Sequence, residues 1–573
     1  MDQRGKNIVI LCDGTNNVWQ PGPCKTNVVK LSECLKIDKP ELQIRYYDPG
    51  VGTAEGNLSE AGGLGLKDRV RRAVGLAWGD GVWENVSDAY QFLMQQYQPN
   101  DRIFLFGFSR GAFTVRAVAG MVNLCGLLRP WHVNMLPSLI EVYRSGTTTP
   151  AQQKSRIEAG KDFRKNFTDY TDGPDIHFLG VWDTVESVGL GQLVFATRIT
   201  SDPSVKPIYK HVRHAVALDE LRWPYTPRLY TGQNGHSSAE RSYKQVWFCG
   251  SHCDVGGSER EAGLSNAALH WMVREAYERG LLVDFTALND YHVDPFDVQH
   301  DETAALPLWT IAWTFRRRYE NQGMLIHESV QERMNHKSGA YRPPLPRHYD
   351  VEKTLTSVNH PDGSVETLEP VPRANKALSP TKVGVQTWHW IWLALSGCAT
   401  WFVSANADQN SLELVKLQLK DGWTGHLGQR LANWTAASDV TRLIEYDFLF
   451  IATYATLIPI LIFFALRFEN PTGYPAPSTA KWLGFCGGWL PVVDVVENLL
   501  TLWATAWWKA DVCATLSCTS LGWLVSFATS VASFIKFALL VGFSSALLLA
   551  FGRGAIRAIS AAAAWPLRQR RLE

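Results

Sequence analysis

The apolar run Ile103-Phe104-Leu105-Phe106 leads directly into Gly107-Phe108-Ser109-Arg110-Gly111, and a helix-like stretch follows to Val122. Strand, sharp turn and helix in this order constrain the chain more than any other feature, because few folds place a serine at such a corner. A residue on so tight a turn needs neighbours without side chains. Gly107 and Gly111 supply them, so the Ser109 hydroxyl is thrust above the end of a sheet. Five residues alone are a weak pattern in a long chain. With their flanks they make Ser109 a candidate nucleophile and predict an α/β fold with a mostly parallel sheet.

A nucleophilic serine needs a histidine to take its proton and a carboxylate to hold that histidine, and in α/β-hydrolases the three follow in the order Ser, Asp or Glu, His. Residues 176–182 read as a buried strand ending at Asp183, which would project from the carboxyl end where parallel sheets gather their polar chemistry. Residues 245–249 read as another strand, closed by a glycine-bearing loop that carries His252. Glu186 and Asp254 are rival carboxylates, and Asp183 also suits a helix cap. His252 as a metal ligand with Cys253 and Asp254 is disfavoured, since adjacent loop residues rarely converge on one ion. His211 and His214, inside a strand-like run, read as structural. Order and context favour Ser109, Asp183 and His252, a set that requires no metal or organic cofactor.

Acyl transfer also needs backbone donors for the oxyanion. The amide of Arg110 is the first candidate because it opens the helix after the serine. The second is expected from Gly14 or Thr15, just beyond the strand candidate 8–12. On these residues alone an ordinary Asp-Gly turn explains them as well.

Six blocks occur in a recognisable order: Cys12-Asp13-Gly14-Thr15-Asn16-Asn17, Tyr46-Tyr47-Asp48-Pro49-Gly50-Val51-Gly52-Thr53, the serine elbow with Ala112-Phe113, Trp182-Asp183-Thr184-Val185, Ala217-Leu218-Asp219-Glu220-Leu221-Arg222, and His252-Cys253-Asp254-Val255-Gly256-Gly257. Over roughly residues 5 to 340 the chain resembles an uncharacterised alpha/beta hydrolase domain family that includes the catalytic domain of type VI secretion Tle1-like phospholipase effectors. The resemblance implies an α/β-hydrolase fold with a Ser-Asp-His triad and, in the effector members, phospholipase A activity on glycerophospholipids. Ser109 and His252 carry over directly. The acid need not lie in the same loop in every member, so Asp183 shares that place with Glu186 and Asp254. Cys253 departs from the smaller or more polar residue expected beside the histidine.

With 573 residues the chain exceeds one ordinary domain, and a formal net charge of +1 gives no reason to expect nucleic acid. Its ten cysteines show no C-x-x-C spacing, which suits a reducing compartment. The polar residues 1–6 and the short apolar run after them do not read as a signal peptide. Three regions are expected: a catalytic domain at 1–340, a proline-sprinkled linker or lid-like extension at 341–384, and a helical membrane region at 385–573. Residues 448–466 carry no charge and are long enough to cross a bilayer. Residues 521–551, interrupted only by Lys536, read as a second span, either one tilted helix or a span with an interfacial turn. Residues 385–403, rich in tryptophan, fit a span or a helix lying flat. Residues 482–508 contain Pro491, Asp494 and Glu497 and fit a polar-lined span or a re-entrant hairpin.

Arg553, Arg557, Arg568, Arg570 and Arg571 at one flank, and Arg373, Lys376 and Lys382 at the other, ask for both flanks to be cytoplasmic. That predicts two or four crossings, with the catalytic domain on the cytoplasmic side. The expected protein is therefore a membrane-anchored serine hydrolase whose partners are the membrane and a phospholipid or other lipid-ester substrate. Two other readings stay open: a pore or signalling membrane region with the hydrolase-like domain as sensor, and a serine esterase acting on a soluble ester or thioester. No heptad run or repeat points to an oligomeric state.

Overall fold

The computed structural model describes residues 5–14, 22, 24–50, 80–145, 149–169, 174–184, 208–220, 222, 225–227, 229–230, 241–301, 324–336, 341–343, 345–359, 364–374, 387–405, 437–469, 477–509 and 516–569. The chain divides into two compact units, one built on a sheet and one on the long helices that begin at Thr387.

The first unit is an eight-stranded sheet in the order β2-β1-β3-β4-β5-β6-β7-β8. Its strands are β1 (Asn7–Cys12), β2 (Gln43–Asp48), β3 (Arg102–Phe108), β4 (Ile176–Trp182), β5 (Tyr209–Ala217), β6 (Ser242–Phe248), β7 (Met324–His327) and β8 (Tyr349–Glu352). Every neighbouring pair is parallel. A parallel sheet with helices on both faces must bury both sides of its strands, which explains the unbroken apolar runs in β1 and β3. In β3 the alternation divides the side chains between two cores. Ile103 and Leu105 join the core formed with helices Asp80–Gln96 and Arg110–Cys125. Phe104, Phe106 and Phe108 join the core formed with helix Gly263–Glu278. After β2 the chain returns to the other side of β1, so strand order reverses between β1 and β3. Such a switch point opens a crevice at the carboxyl ends of the strands, where open α/β sheets bind their ligands.

Residues 341–384, expected as a linker or lid-like extension, instead supply β8 at the sheet edge and a two-stranded hairpin, Ser357–Asn359 with Val365–Thr367. The reason is that Val351 alternates with polar neighbours and meets the edge of β7, a pairing that proline content does not reveal.

The second unit holds helices Thr387–Ala405, Ala437–Glu469, Pro477–Lys509 and Leu516–Gln569. Among the described residues three segments are long and apolar enough to cross a membrane: Asp447–Leu466, Phe485–Trp503 and Phe527–Arg553. They share a core in which Ile458, Ile462 and Leu466 meet Leu483, Cys486 and Leu490 and, on the last helix, Leu539, Phe543 and Ala546. Outward-facing positions are apolar as well, with Leu548 74% and Val541 65% exposed. Apolar residues on inner and outer faces alike are consistent with candidate membrane spans. Helix Pro477–Lys509 runs through Pro491 without interruption, so the re-entrant hairpin considered for this stretch does not form. Residues 521–551 likewise lie in one helix, without a separate interfacial turn.

The acidic residues inside these segments face protein. Lys536 Nζ lies 2.8 Å from Asp494 Oδ1 and 2.6 Å from Glu497 Oε2. Tyr454 donates to Asp494 at 2.6 Å, Asn498 donates to Asp447 at 2.8 Å, and Ser533 donates to Glu497. Such pairing offsets the cost of placing charge within apolar helices.

Candidate active site

Sterics set the elbow before any chemistry enters. Ser109 has φ 56° and ψ −119°, a conformation costly for a residue with a side chain and sustained only where the surroundings over-determine it. They do so through the glycines. A Cβ on Gly107 would lie 2.4 Å from the Gly111 carbonyl oxygen, and one on Gly111 would lie 2.1 Å from that of Cys12. The second contact also presses the turn after β1 against the elbow. The Ser109 amide donates to the Trp182 carbonyl at 3.2 Å, tying the corner to the end of β4.

The next residue after Trp182 is Asp183, which is fully buried and has φ 36°. Its amide donates to Ala215 at 2.7 Å, and its Oδ1 accepts from the Ala217 amide at 2.9 Å, so β5 fixes both backbone and carboxylate. The remaining oxygen, Oδ2, lies 2.7 Å from His252 Nδ1. His252 opens the short helix His252–Gly256 after β6, and its amide donates to Glu220 Oε2 at 3.2 Å. Its ring packs on Phe108 at 4.7 Å, the residue before the serine, and against Tyr225 at 4.8 Å. The other ring nitrogen, Nε2, is buried and has no hydrogen-bond partner among the described residues. A carboxylate behind Nδ1 selects the tautomer whose Nε2 can accept a proton, as a general base requires. The Ser109 hydroxyl makes no bond to Nε2 here, and unliganded sites commonly leave that contact open.

Asp254 Oδ1 lies 2.7 Å from His300 Nδ1, so this carboxylate serves another histidine. Glu186 lies outside the described residues. His211 and His214 sit inside β5, bonded to Ser242 and Gln245 respectively. Burial pulls them down to about 3 and about 4, so they are neutral in the neutral range. Among the described residues no three His, Cys, Asp or Glu side chains are grouped to hold a metal ion.

The oxyanion donors are less uniform. Arg110 is the first residue of its helix, where backbone N–H groups point out of the helix end. Gly14, expected to offer its amide, instead donates it to its neighbour Asp13 Oδ1 at 2.7 Å. Thr15 lies outside the described residues. Asp13 is itself buried, and its Oδ2 accepts from Thr26 at 2.6 Å and from Tyr47 at 3.0 Å. Burial raises it to about 6 in spite of those bonds.

Sequence reasoning assigned no role to Asp13 or Glu220, although both lie in the ordered blocks, and none to Tyr225 or His300, which lie outside them. A buried carboxylate after an apolar strand was the available signal for Asp13. Nothing local marks Tyr225 or His300.

Residues 6–275 match the family of type VI secretion phospholipase effector Tle1-like catalytic domains. An uncharacterised protein of Saccharomyces cerevisiae is 32% identical over 249 residues, covering 40% of this chain and 34% of that protein. The chain thus spans about a third of the length of this curated relative. Among solved structures, the Tle1 effector bound to the VgrG spike of the type 6 secretion system is similar at 20% identity and a TM-score of 0.25, over 45% of this chain and 52% of that one. An uncharacterised protein from Pseudomonas aeruginosa is similar at 18% identity and a TM-score of 0.27, over 49% and 47%.

Proposed function

We propose that the sheet unit is a serine hydrolase that cleaves carboxylic esters of lipids in the manner of a phospholipase A, and that the C-terminal helices anchor it in a membrane. The observation that carries the reading is the buried Asp183–His252 pair with Nε2 left vacant, on the same sheet end as the strained Ser109. The family matched by residues 6–275 supports a lipid as substrate. In the proposed reaction His252 Nε2 takes the Ser109 proton as Oγ attacks the ester carbonyl. The oxyanion is held by the amide of Arg110, the first residue of the helix after the serine. Collapse of the tetrahedral intermediate expels the alcohol, protonated by His252, and leaves an acyl-serine. Water, deprotonated by the same nitrogen, then releases the fatty acid.

A membrane anchor on the same chain concentrates a bilayer substrate in two dimensions, which favours a lipid over a soluble ester. The basic flanks still ask for an even number of crossings, with the hydrolase on the cytoplasmic side. Helix Thr387–Ala405 would supply a fourth beside the three candidate spans. A second reading makes the helices a conducting element and rests on the polar seam of Asp494, Glu497 and Lys536. Conductance in planar bilayers that persists in Ser109→Ala would support it.

The deciding experiment incubates purified protein in detergent with a mixed phospholipid extract and follows products by mass spectrometry. Fatty acid and lysophospholipid should form with the natural protein and not with Ser109→Ala. Equal product from both would overturn the mechanism, and serine-dependent cleavage of soluble esters alone would move the substrate away from phospholipids.

A further inference from the structure

The turn that carries the candidate catalytic histidine is held by a second histidine from a distant part of the sequence. Asp254 stands two residues after His252 and is 1% exposed. Its Oδ2 accepts from the amide of Ser251 at 2.9 Å and from the amide of His300 at 3.0 Å, and its Oδ1 accepts from His300 Nδ1 at 2.7 Å. The carboxylate therefore closes the start of the turn on itself and ties it to the strap at His300. The room for this is set by Gly250, where φ is +106° and a Cβ would lie 2.2 Å from that of Asp254. On its far side the His300 ring meets two more carboxylates, with Nε2 3.4 Å from Glu261 and 3.7 Å from Glu259. Both ring nitrogens thus face acceptors, the arrangement that suits an imidazolium with two N–H donors.

We propose that His300 is a positioning residue for the hydrolase: as a cation clamped between Asp254 and the Glu259–Glu261 pair, it fixes the Ser251–Gly257 turn and so the reach of His252 Nε2 toward Ser109. The proposal rests on the serine hydrolase reading above. Asp183 orients the His252 ring, but the ring's height above the sheet is set by its backbone, and that backbone is bonded through Asp254 to His300. A nitrogen displaced by about 1 Å loses on the order of 100-fold in rate. The cationic state has an independent basis in the surroundings. Burial disfavours charge on His300, yet the bond to and charge of Asp254, followed by Glu259 and Glu261, outweigh it and raise the imidazole to about 9.

The test uses the full chain in detergent, with a p-nitrophenyl ester as substrate and active sites counted by covalent labelling with a fluorophosphonate. His300→Phe keeps a ring and removes both donors. Its kcat per labelled site should fall roughly 100-fold while KM stays within about twofold. His300→Asn restores a donor at the Nδ1 position without the charge and should recover part of that loss, to roughly 10-fold below the natural protein. A residue that merely supports folding would lower the number of labelled sites and leave kcat per site unchanged. Unchanged kcat per site in either variant overturns the proposal. Where His300→Phe gives no labelled sites, the kcat of His300→Asn decides alone. Absence of labelling at Ser109 in the natural protein would instead remove the underlying hydrolase reading, which separates the two failures.

Discussion

Two histidine–aspartate pairs share the turn after β6, which contributes His252 to one and Asp254 to the other, and in each the histidine Nδ1 lies 2.7 Å from a buried carboxylate. What differs is the second nitrogen. The His252 ring packs between Phe108 and Tyr225 and its Nε2 has no partner among the described residues, whereas His300 Nε2 faces Glu261 and Glu259. An unpaired buried acceptor costs free energy unless a substrate or nucleophile completes it, which is why the proposed function gives the first pair the proton transfer. The second satisfies every donor and is built for holding. The same two residue types reach opposite uses through their surroundings, and the motif around His252, which contains one member of each pair, does not by itself say which aspartate is the triad acid.

That contrast can be broken most forcefully at the acids. Asp183→Asn leaves the shape of the site and withdraws the charge behind the imidazole, so kcat should drop by roughly 10,000-fold with the fold retained, as judged by circular dichroism. Asp254→Asn disturbs only placement and should cost roughly 10- to 100-fold in the same ester assay. Equal losses would erase the distinction between the pairs. The smallest effect is on stability. His300 is raised in the folded protein from the ordinary 6.5 to about 9, so the folded state binds its proton more tightly than the unfolded chain does. The resulting stabilisation is fully present below about 6.5 and is lost as pH rises through about 9. Thermal unfolding scans between pH 7 and pH 10 should therefore show the gap between the natural protein and His300→Asn narrowing with pH. A gap that widens toward alkaline pH would contradict the charged clamp.

Local pattern carried much of this molecule. The glycines at 107 and 111 announced the elbow because no other residue fits within 2.4 Å of neighbouring backbone, and the apolar runs of β1, β3 and β4 announced a sheet buried on both faces. The long uncharged stretch at 448–466 announced a candidate span for the same kind of reason. What escaped were relations between distant residues. The pairing of β8 with β7 depends on an edge left open by the rest of the sheet. The His300 clamp depends on a strap 46 residues from Asp254. The engagement of Gly14 by Asp13 depends on burial of that carboxylate under Thr26 and Tyr47, so a turn that looked free to donate has its amide occupied. Acidic residues at 494 and 497 were legible as costly, but their partner Lys536 became visible only when the helices were packed.

The central claim is that Ser109 is a nucleophile activated through His252 and Asp183. Peptide mapping by mass spectrometry after treatment with a fluorophosphonate tests it most directly. The account predicts one phosphonylated residue, Ser109, in the natural protein, with labelling slowed by orders of magnitude in a folded His252→Ala variant. Labelling of a different serine, or labelling of Ser109 at an unchanged rate without His252, would contradict it.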